Sequence, residues 1–507
     1  MNARARVWRG RRAVAAGAVA TVLAVAGPLA APTAAADPGP AAGRQDRHRS
    51  DDGADGADGA HRRGTGADDR KNDSGPGKGT ARRHRSAPVK GPVLAAAADA
   101  AGVPTGDGVH RSLDPAVHDG ALAALNLAVA DATTGTLLYG SGENTPATPA
   151  STTKLATAVA ALALIPPTTR IATTVVRGSD PGSITLVGGG DPTLTVLPAD
   201  QVRVGGQPVD ADTAPASLAD LAARTAAALK AAGTTTVRLG YDTSLYTGPL
   251  LHPEHDATNI AAVTPLMVDE GRIDPKSPDE APARVFDPAG QAAGAFADRL
   301  RAEGVAVDGT PARTTAPAGA AAIAEVRSPS VPRLVERLLT TSDNTLAEAV
   351  ARQVAIAAGK PASFEGASAA TLQALTALAV PTAGVVLNDG SGLSSKNLIP
   401  PITLTELLAR AAAPDHPELR PVLTGLPVAG FTGTLVNRFG ARSGAAGAAG
   451  VVRAKTGTLS GVATLAGTVV DADGRVLVFA LMSRTNGGDA RGAVDRIVAR
   501  IAACGCR

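Results

Sequence analysis

The stretch "ASTTKLATAVAALAL", from Ala150 to Leu164, begins with polar residues and continues as an apolar run. The apolar half predicts a buried helix. Ser151 and Lys154 are three positions apart, so on a helix they share one face, and the lysine ammonium can lie beside the serine hydroxyl. A serine suits a helix N-cap, but capping gives no reason for the lysine. The pair therefore needs an explanation beyond helix initiation.

Two further short motifs follow in the chain. Ser342-Asp343-Asn344 interrupts a pair of predicted helices, and Lys455-Thr456-Gly457 lies on a predicted strand. Each motif alone is a weak signal, because S-x-x-K arises often by chance. In this order and in these contexts, the three form the signature of penicillin-binding proteins and class A β-lactamases.

The chain resembles the D-alanyl-D-alanine carboxypeptidase/endopeptidase family, the low-molecular-mass class C penicillin-binding proteins, over residues 95–506. Besides the three motifs, "LVGGGDPTL" (186–194), "DGSGLS" (389–394) and "RAKTGTLSGV" (453–462) support the resemblance. It implies an exported serine D,D-peptidase, a carboxypeptidase, a D,D-endopeptidase or both. Its partners would be peptidoglycan stem peptides and, as covalent inhibitors, β-lactam antibiotics. No metal or organic cofactor is expected.

The candidate catalytic residues are Ser151, Lys154, Ser342, Asn344 and Lys455. A serine hydroxyl needs an adjacent base, and none of the eight histidines lies in a motif. Lys154 can serve as that base only if burial or a nearby cation, such as Lys455, lowers its pKa. Ser342 can relay a proton to the leaving amine, and Asn344 can hold Lys154 and the substrate amide. Helix capping is the alternative role for the "TTSDN" string, and the two roles are compatible.

The third motif supplies candidate substrate-binding residues. Lys455 offers a cation to the terminal carboxylate of the substrate, and Thr456 and Thr458 offer hydroxyl groups. Gly457 lets the substrate backbone approach closely. The family resemblance further implies that the backbone N–H groups of Ser151 and Thr458 form the oxyanion hole.

The predicted fold class is α/β, a penicillin-binding-protein or serine β-lactamase-like transpeptidase domain in which helices flank an antiparallel sheet. The 191 positions between the first two motifs leave room for an inserted region of one or two small α/β domains. The predicted segments are a signal peptide (1–36), a charged linker (37–92), the first part of the catalytic domain (93–170), the insert (171–310), the second part of the catalytic domain (311–503) and a Cys-containing tail (504–507).

The N-terminal region predicts export. Five arginines precede an apolar run, and "TAAAD" offers a cleavage site after Ala36. An uncleaved anchor helix is the alternative. Residues 37–92 have almost no large apolar side chain, which is typical of a flexible linker, although their basic clusters could also touch anionic wall polymers. We therefore expect an extracytoplasmic protein, secreted or loosely associated with the wall or the outer face of the membrane.

The charge distribution argues against a nucleic-acid partner. The whole chain has a net charge of +3, of which residues 1–36 contribute +5 and residues 37–90 another +3. The remaining body therefore carries about −5, which is the wrong sign for binding nucleic acid. Cys504 and Cys506 have no expected catalytic role, and their pairing stays open. "HPEH" (252–255) resembles a metal-binding pair, but the sequence offers no evident third ligand.

Two other functions compete with the peptidase. Class A β-lactamases need a glutamate in an E-x-x-x-N context after the second motif. Glu348 lies inside a predicted helix and Glu365 is followed four positions later by Ala369, so that pattern is missing. A non-catalytic wall-binding module would be expected to lack one of the catalytic residues, yet all five candidates are present.

Overall fold

The structure is a computed structural model that describes residues 102–507, apart from residues 205, 278, 280 and 281. The predicted signal peptide (1–36) and linker (37–92) lie outside the described residues. Within the described part of the chain, no helix is both long enough and apolar enough to cross a membrane.

The described residues form helices and strands in an order that returns to β structure at the end of the chain. The strands are β1 (Leu122–Asp131), β2 (Leu137–Ser141), β3 (Arg170–Arg177), β4 (Ser183–Val187), β5 (Arg203–Val204), β6 (Gln207–Pro208), β7 (Thr236–Asp242), β8 (Ala306–Arg313), β9 (Ala322–Ser330), β10 (Val452–Leu459), β11 (Val462–Val470) and β12 (Val476–Thr485). The helices are α1 (Gly106–Val117), α2 (Thr153–Leu164), α3 (Leu218–Ala231), α4 (Pro288–Ala302), α5 (Val331–Thr341), α6 (Asn344–Ala357), α7 (Phe364–Ala377), α8 (Pro401–Ala412), α9 (Pro421–Gly425) and α10 (Ala490–Ala502).

The first sheet joins the two ends of the described chain. Its strand order is β10-β11-β12-β1-β2, and every neighbouring pair is antiparallel. Glycines with positive φ make its tight turns, including Gly461 (φ 72°) and Gly474 (φ 85°). Helices α1 and α10 pack against each other at this sheet, and α8 packs on β1 and β12. An antiparallel sheet flanked by helices is the predicted fold class, which is confirmed.

Helix α2 is the central helix of the helical layer. Its residues from Thr153 to Leu162 are all buried, and it packs against α5, α6, α7 and α8. Burying an aliphatic side chain such as Leu155 or Val159 stabilises the fold by about 1.5–3 kcal/mol. Alanines between them let the neighbouring helices approach closely. The apolar run that predicted a buried helix therefore holds Lys154 in a fully buried position, with the partly buried Ser151 directly before the helix.

A second five-stranded sheet is built mainly from the predicted insert, although β9 and the end of β8 lie beyond residue 310. Its order is β8-β7-β4-β3-β9, with parallel pairing between β4 and β7 and between β7 and β8. Helices α3 and α4 bury their apolar sides against it in a separate hydrophobic cluster. The predicted domain boundaries, at 170/171 and 310/311, stay predictions. At the chain end, Cys504 and Cys506 form a disulfide.

Candidate active site

Ser151 lies in a short 3-10 turn, Ala150–Thr152, directly before α2. Two threonine side chains close this turn, which we call the Ser151 turn. Thr152 Oγ1 donates to the Pro149 carbonyl at 2.7 Å, and Thr153 Oγ1 donates to the Ala150 carbonyl at 2.8 Å. Ala150 has a positive φ of 48°, so the chain bends sharply just before the serine. The bend directs the Ser151 hydroxyl toward the side chain of Lys154.

Lys154 is fully buried and its Nζ has three oxygen neighbours. Ser151 Oγ lies at 2.9 Å, Asn344 Oδ1 at 2.7 Å and the Ser391 carbonyl oxygen at 2.6 Å. The amide and carbonyl oxygens can only accept hydrogen bonds. In the structure Nζ also donates to Ser151 Oγ. A neutral amine has two N–H groups, and with these on the two acceptors its lone pair would be directed to the Ser151 hydroxyl, as a general base needs.

The second motif lies at the junction of α5 and α6. Ser342 ends α5 in a left-handed conformation (φ 59°), and Asp343 caps α6 by accepting from the Leu346 N–H at 2.9 Å. The capping role considered for "TTSDN" therefore belongs to Asp343. Asn344 and Ser342, on either side of it, both bond to a lysine of the site. Asn344 also donates from Nδ2 to the Asn259 carbonyl at 3.0 Å.

Lys455 is as buried as Lys154, and its ammonium group contacts Ser342. Its Nζ donates to Ser342 Oγ at 2.7 Å and to the Thr456 carbonyl at 2.8 Å. The structure thus brings the five predicted catalytic residues together as two serine–lysine pairs, with Asn344 beside the first pair. A proton on Ser342 Oγ is therefore within reach of the Lys455 amine.

Strand β10 lies at the edge of the first sheet, against the Ser151 turn. A Cβ placed on Gly457 would lie 2.7 Å from the Pro149 carbonyl oxygen and 3.0 Å from the Ser151 nitrogen, so only glycine fits there. The Ala454 N–H donates to the Pro427 carbonyl, outside the sheet. By the two-residue alternation of a strand, the N–H groups of Thr456 and Thr458 point to the same free edge.

The substrate-binding threonines differ in their surroundings. Thr456 Oγ1 lies 2.9 Å from Thr434 Oγ1, on the loop before β10, whereas the Thr458 side chain is exposed. Thr434 was not found by sequence reasoning, because it belongs to no motif. The hydroxyl groups of Thr456 and Thr458 both lie on β10, the strand that borders Ser151, where a substrate carboxylate can accept from them.

Arginines of the predicted insert hold Asp343 from the side opposite the capped helix. Arg272 Nη2 and Arg284 Nη2 each lie 3.2 Å from Asp343 Oδ2. Burial acts to raise the pKa of Asp343, but Arg284 and Arg272 outweigh it and hold that pKa well below its usual range. Asp343 is thus an ionised, fixed anchor between Ser342 and Asn344.

Sequence reasoning also missed the residues behind Lys154. Ser391 belongs to the "DGSGLS" stretch, whose role the resemblance left open, and it contributes its backbone carbonyl rather than its side chain. His255 of "HPEH" has neighbours that the sequence did not reveal, since Glu348 and Asp389 lie close to it in a buried cluster. These contacts join segments that are 93 and 134 positions apart, so no local pattern could find them.

The comparison with protein families agrees with the geometry. The model of the D-Ala-D-Ala carboxypeptidase 3 (S13) family matches residues 109–283 and 274–503. Among similar curated proteins, "Carboxypeptidase DacB" of Mycolicibacterium smegmatis is 37% identical over 411 residues, 80% of this chain and 85% of the relative. "Carboxypeptidase Rv3627c" of Mycobacterium tuberculosis is 36% identical over 419 residues, 81% of this chain and 87% of the relative.

The comparison with solved structures supports the fold alone. The crystal structure of penicillin binding protein 4 (dacB) from Haemophilus influenzae superposes with a TM-score of 0.59 at 22% sequence identity. The match covers 78% of this chain and 98% of that protein. The two proteins therefore share the overall fold.

Proposed function

The chain belongs to the D-Ala-D-Ala carboxypeptidase 3 (S13) family and is a serine-type peptidase of that family, and on this premise we propose that its acyl-enzyme forms on Ser151. The observation that carries the proposal is the surroundings of Lys154. Its Nζ lies 2.9 Å from Ser151 Oγ and also donates to Asn344 Oδ1 and to the Ser391 carbonyl.

The reaction begins with proton transfer to Lys154. Ser151 Oγ attacks the carbonyl carbon of the penultimate D-Ala, and its proton moves to the lone pair of Lys154 Nζ. The carbonyl oxygen becomes an oxyanion that the N–H groups of Ser151 and Thr458 stabilise; donors of this kind typically contribute about 3–4 kcal/mol each. The Thr458 N–H points to the free edge of β10, which suits this role.

Breakdown of the tetrahedral intermediate needs a proton on the leaving amine. Ser342 Oγ, which accepts from Lys455 Nζ, can pass its own proton to the terminal D-Ala nitrogen and recover one from the lysine. The C–N bond then breaks and leaves an ester on Ser151. Water attacks this ester: its oxygen bonds to the acyl carbon and the bond to Ser151 Oγ breaks. Ser151 takes back the proton held by Lys154, and the proton lost by the water passes through Ser342 to Lys455, so that every group returns to its starting protonation state.

Substrate selection rests on β10. The terminal carboxylate of the substrate would accept from the Thr456 and Thr458 hydroxyls while the buried charge of Lys455 attracts it. We propose peptidoglycan stem peptides ending in D-Ala-D-Ala as substrates, with D,D-crosslinks as a second substrate class. Such substrates lie outside the cytoplasm, which agrees with the predicted export signal. A β-lactam would acylate Ser151 in the same way, and the Haemophilus influenzae protein has been solved with a β-lactam.

Intact mass spectrometry after brief exposure to benzylpenicillin tests the proposal. The parent should gain the mass of one penicillin, and Ser151→Ala should gain none. Ser112→Ala is the control, because Ser112 lies on α1 and its hydroxyl donates to the Arg500 carbonyl. This variant should label like the parent. An adduct on Ser151→Ala would place the nucleophile elsewhere, and an unlabelled parent would overturn the proposal. An adduct that disappears within seconds would favour a β-lactamase instead.

A second assay separates the two peptidase activities. A soluble pentapeptide should lose one D-Ala to the parent enzyme, whereas a purified D,D-crosslinked dimer should be split into monomers only if the endopeptidase activity is present. Release of D-Ala without dimer cleavage would restrict the function to trimming.

A further inference from the structure

Three buried residues outside the motifs lie behind Lys154. Glu348 comes from α6, Asp389 from the loop of residues 389–394 and His255 from the predicted insert. His255 and Asp389 have fully buried side chains, and Glu348 is 0% exposed. Because burying carboxylates is costly unless they are well bonded, this cluster must be held by specific partners.

Glu348 bonds to the backbone of the 389–394 loop. Its carboxylate accepts from the Gly390 N–H at 3.0 Å and from the Ser391 N–H at 2.7 Å. On the other side of the same loop, the Ser391 carbonyl accepts from Lys154 Nζ, and Thr157 Oγ1 donates to the Gly390 carbonyl at 2.7 Å. The loop therefore lies between α6 and α2 and is hydrogen-bonded to both helices, to Glu348 through its N–H groups and to Lys154 and Thr157 through its carbonyl groups.

Asp389 fixes the shape of the loop itself. It accepts from the Gly392 N–H at 2.8 Å and the Ser394 N–H at 2.7 Å, and His255 Nε2 lies 2.8 Å from its Oδ2. Gly392 has φ 85°, and a Cβ there would collide with the Ala150 carbonyl. The loop is thus seated directly against the Ser151 turn as well as against Lys154.

A bound cation is a poor match for this cluster. Both oxygens of Asp389 and both oxygens of Glu348 already accept at least one N–H. A metal would compete with those bonds. The arrangement instead resembles a hydrogen-bonded support, in which the carboxylates orient backbone groups.

We propose that Glu348 is a positioning residue for the proton transfer from Ser151 to Lys154, acting through the backbone of Gly390 and Ser391. It holds the Ser391 carbonyl where this oxygen takes one N–H of Lys154, so that the lone pair of Nζ faces Ser151 Oγ. In the acylation step the Ser151 O–H bond breaks, a new N–H bond forms on Lys154, and Oγ bonds to the substrate carbonyl carbon. This inference rests on the proposed function of Ser151 and Lys154.

The role predicts a particular kinetic effect. Glu348 is buried behind Lys154, and its described hydrogen bonds are to the loop, so its loss should spare the binding of a β-lactam before reaction. The acylation rate constant should fall instead, since displacements near 1 Å in a reacting group can cost as much as about 100-fold. A purely structural role would reduce the folded fraction but not the rate of the folded molecules.

The test measures acylation by a chromogenic cephalosporin in a stopped-flow instrument, which separates the initial dissociation constant from the acylation rate constant. In Glu348→Gln, the amide can accept from one backbone N–H but turns an NH2 toward the other. We expect its acylation rate constant to be at least about 10-fold lower, with the dissociation constant within twofold of the parent. Asp131→Asn is the matched control, because Asp131 is a fully buried carboxylate that bonds to Arg475 at the far end of β1.

Thr157→Val keeps the inference testable if Glu348→Gln does not fold. This variant removes only the hydroxyl that donates to the Gly390 carbonyl, and we expect its acylation rate constant to fall at least threefold. Circular dichroism and thermal melting identify the folded variants. The inference is overturned if folded Glu348→Gln acylates within twofold of Asp131→Asn. If Glu348→Gln does not fold, the same criterion applies to Thr157→Val. If the parent itself is not acylated on Ser151, the proposed function has failed, which is a separate result.

Discussion

Asn344 can present its side-chain amide in one orientation only. Its Oδ1 accepts from Lys154 and its Nδ2 donates to the Asn259 carbonyl, so a flipped amide would set donor against donor and acceptor against acceptor. We expect Asn344→Asp to slow acylation about 100-fold, because a carboxylate beside Lys154 favours the ammonium over the amine that must take the proton. The acylation rate constant for a chromogenic cephalosporin is the measurement.

The matched control makes the same chemical change at an exposed position. Asn144 lies on the surface and donates to Glu143, so Asn144→Asp should acylate at the parent rate. If Asn344→Asp and Asn144→Asp behave alike, the amide of Asn344 does not control the protonation of Lys154.

Asp191, in the "LVGGGDPTL" stretch, is a single residue whose ionisation should make the free energy of unfolding depend on pH. It is 1% exposed, and its Oδ2 has no hydrogen-bond partner among the described residues. Burial raises the pKa of Asp191 to about 6, against the bonds from Thr193 that lower it. The protonated form is therefore favoured by folding, so this contribution is complete below about pH 4 and is lost as the pH rises through 6.

The corresponding variant should remove this dependence. Between pH 4 and pH 7, the free energy of unfolding of the parent should fall by as much as about 3 kcal/mol relative to Asp191→Asn, since two pKa units correspond to about that energy. Urea denaturation of both proteins at several pH values measures it. Parallel curves for the two proteins would show that folding does not raise the pKa of Asp191, which would contradict this prediction.

At the scale of the element, β10 must lie flat against the Ser151 turn. Gly457→Ala places a methyl group 2.7 Å from the Pro149 carbonyl oxygen and close to Thr464 Oγ1, so the strand or the turn must move. We expect acylation to slow at least about 10-fold, because the oxyanion donors on β10 and in the turn lose their spacing. Gly447→Ala is the control, because a Cβ at Gly447 meets open space. Equal acylation of both variants would contradict this role of β10.

The elements differ in how far the sequence could predict them. The strand predicted around Lys455-Thr456-Gly457 rests on a local signal, and the structure confirms it as β10. The apolar run of α2 is also local. The 389–394 loop has no such signal for its role, because its function depends on contacts with α2 and α6, which approach it only after the chain has folded. A backbone carbonyl such as that of Ser391 leaves no trace in the residue type.

Across the whole molecule, the predicted insert contributes directly to the site. Arg272 and Arg284 bond to Asp343, between two candidate catalytic residues, and Arg272 also pairs with the buried Glu270 at 2.8 Å. The sequence could place these arginines in the insert but not beside Asp343, since an ion pair across about 60 or 70 positions follows no periodicity. The insert therefore supports the reacting groups in addition to any contact with the substrate.

The ion pair between Arg284 and Asp343 predicts a coupling between these two parts of the molecule. Arg284→Met should lower the free energy of unfolding by about 3 kcal/mol, because it leaves part of a buried charge unpaired, and the loss is limited by the remaining bond from Arg272. In the double variant with Asp343→Asn the buried charge is gone as well. Its loss of unfolding free energy should therefore be smaller than the sum of the two single losses, with a coupling energy of about 1–3 kcal/mol. Urea unfolding of the four proteins measures this cycle, and Arg301→Met, which breaks an exposed pair with Asp298, should change stability little. Strictly additive losses would mean that the arginine and the aspartate stabilise the fold independently, and the insert would then not anchor the second motif through this pair.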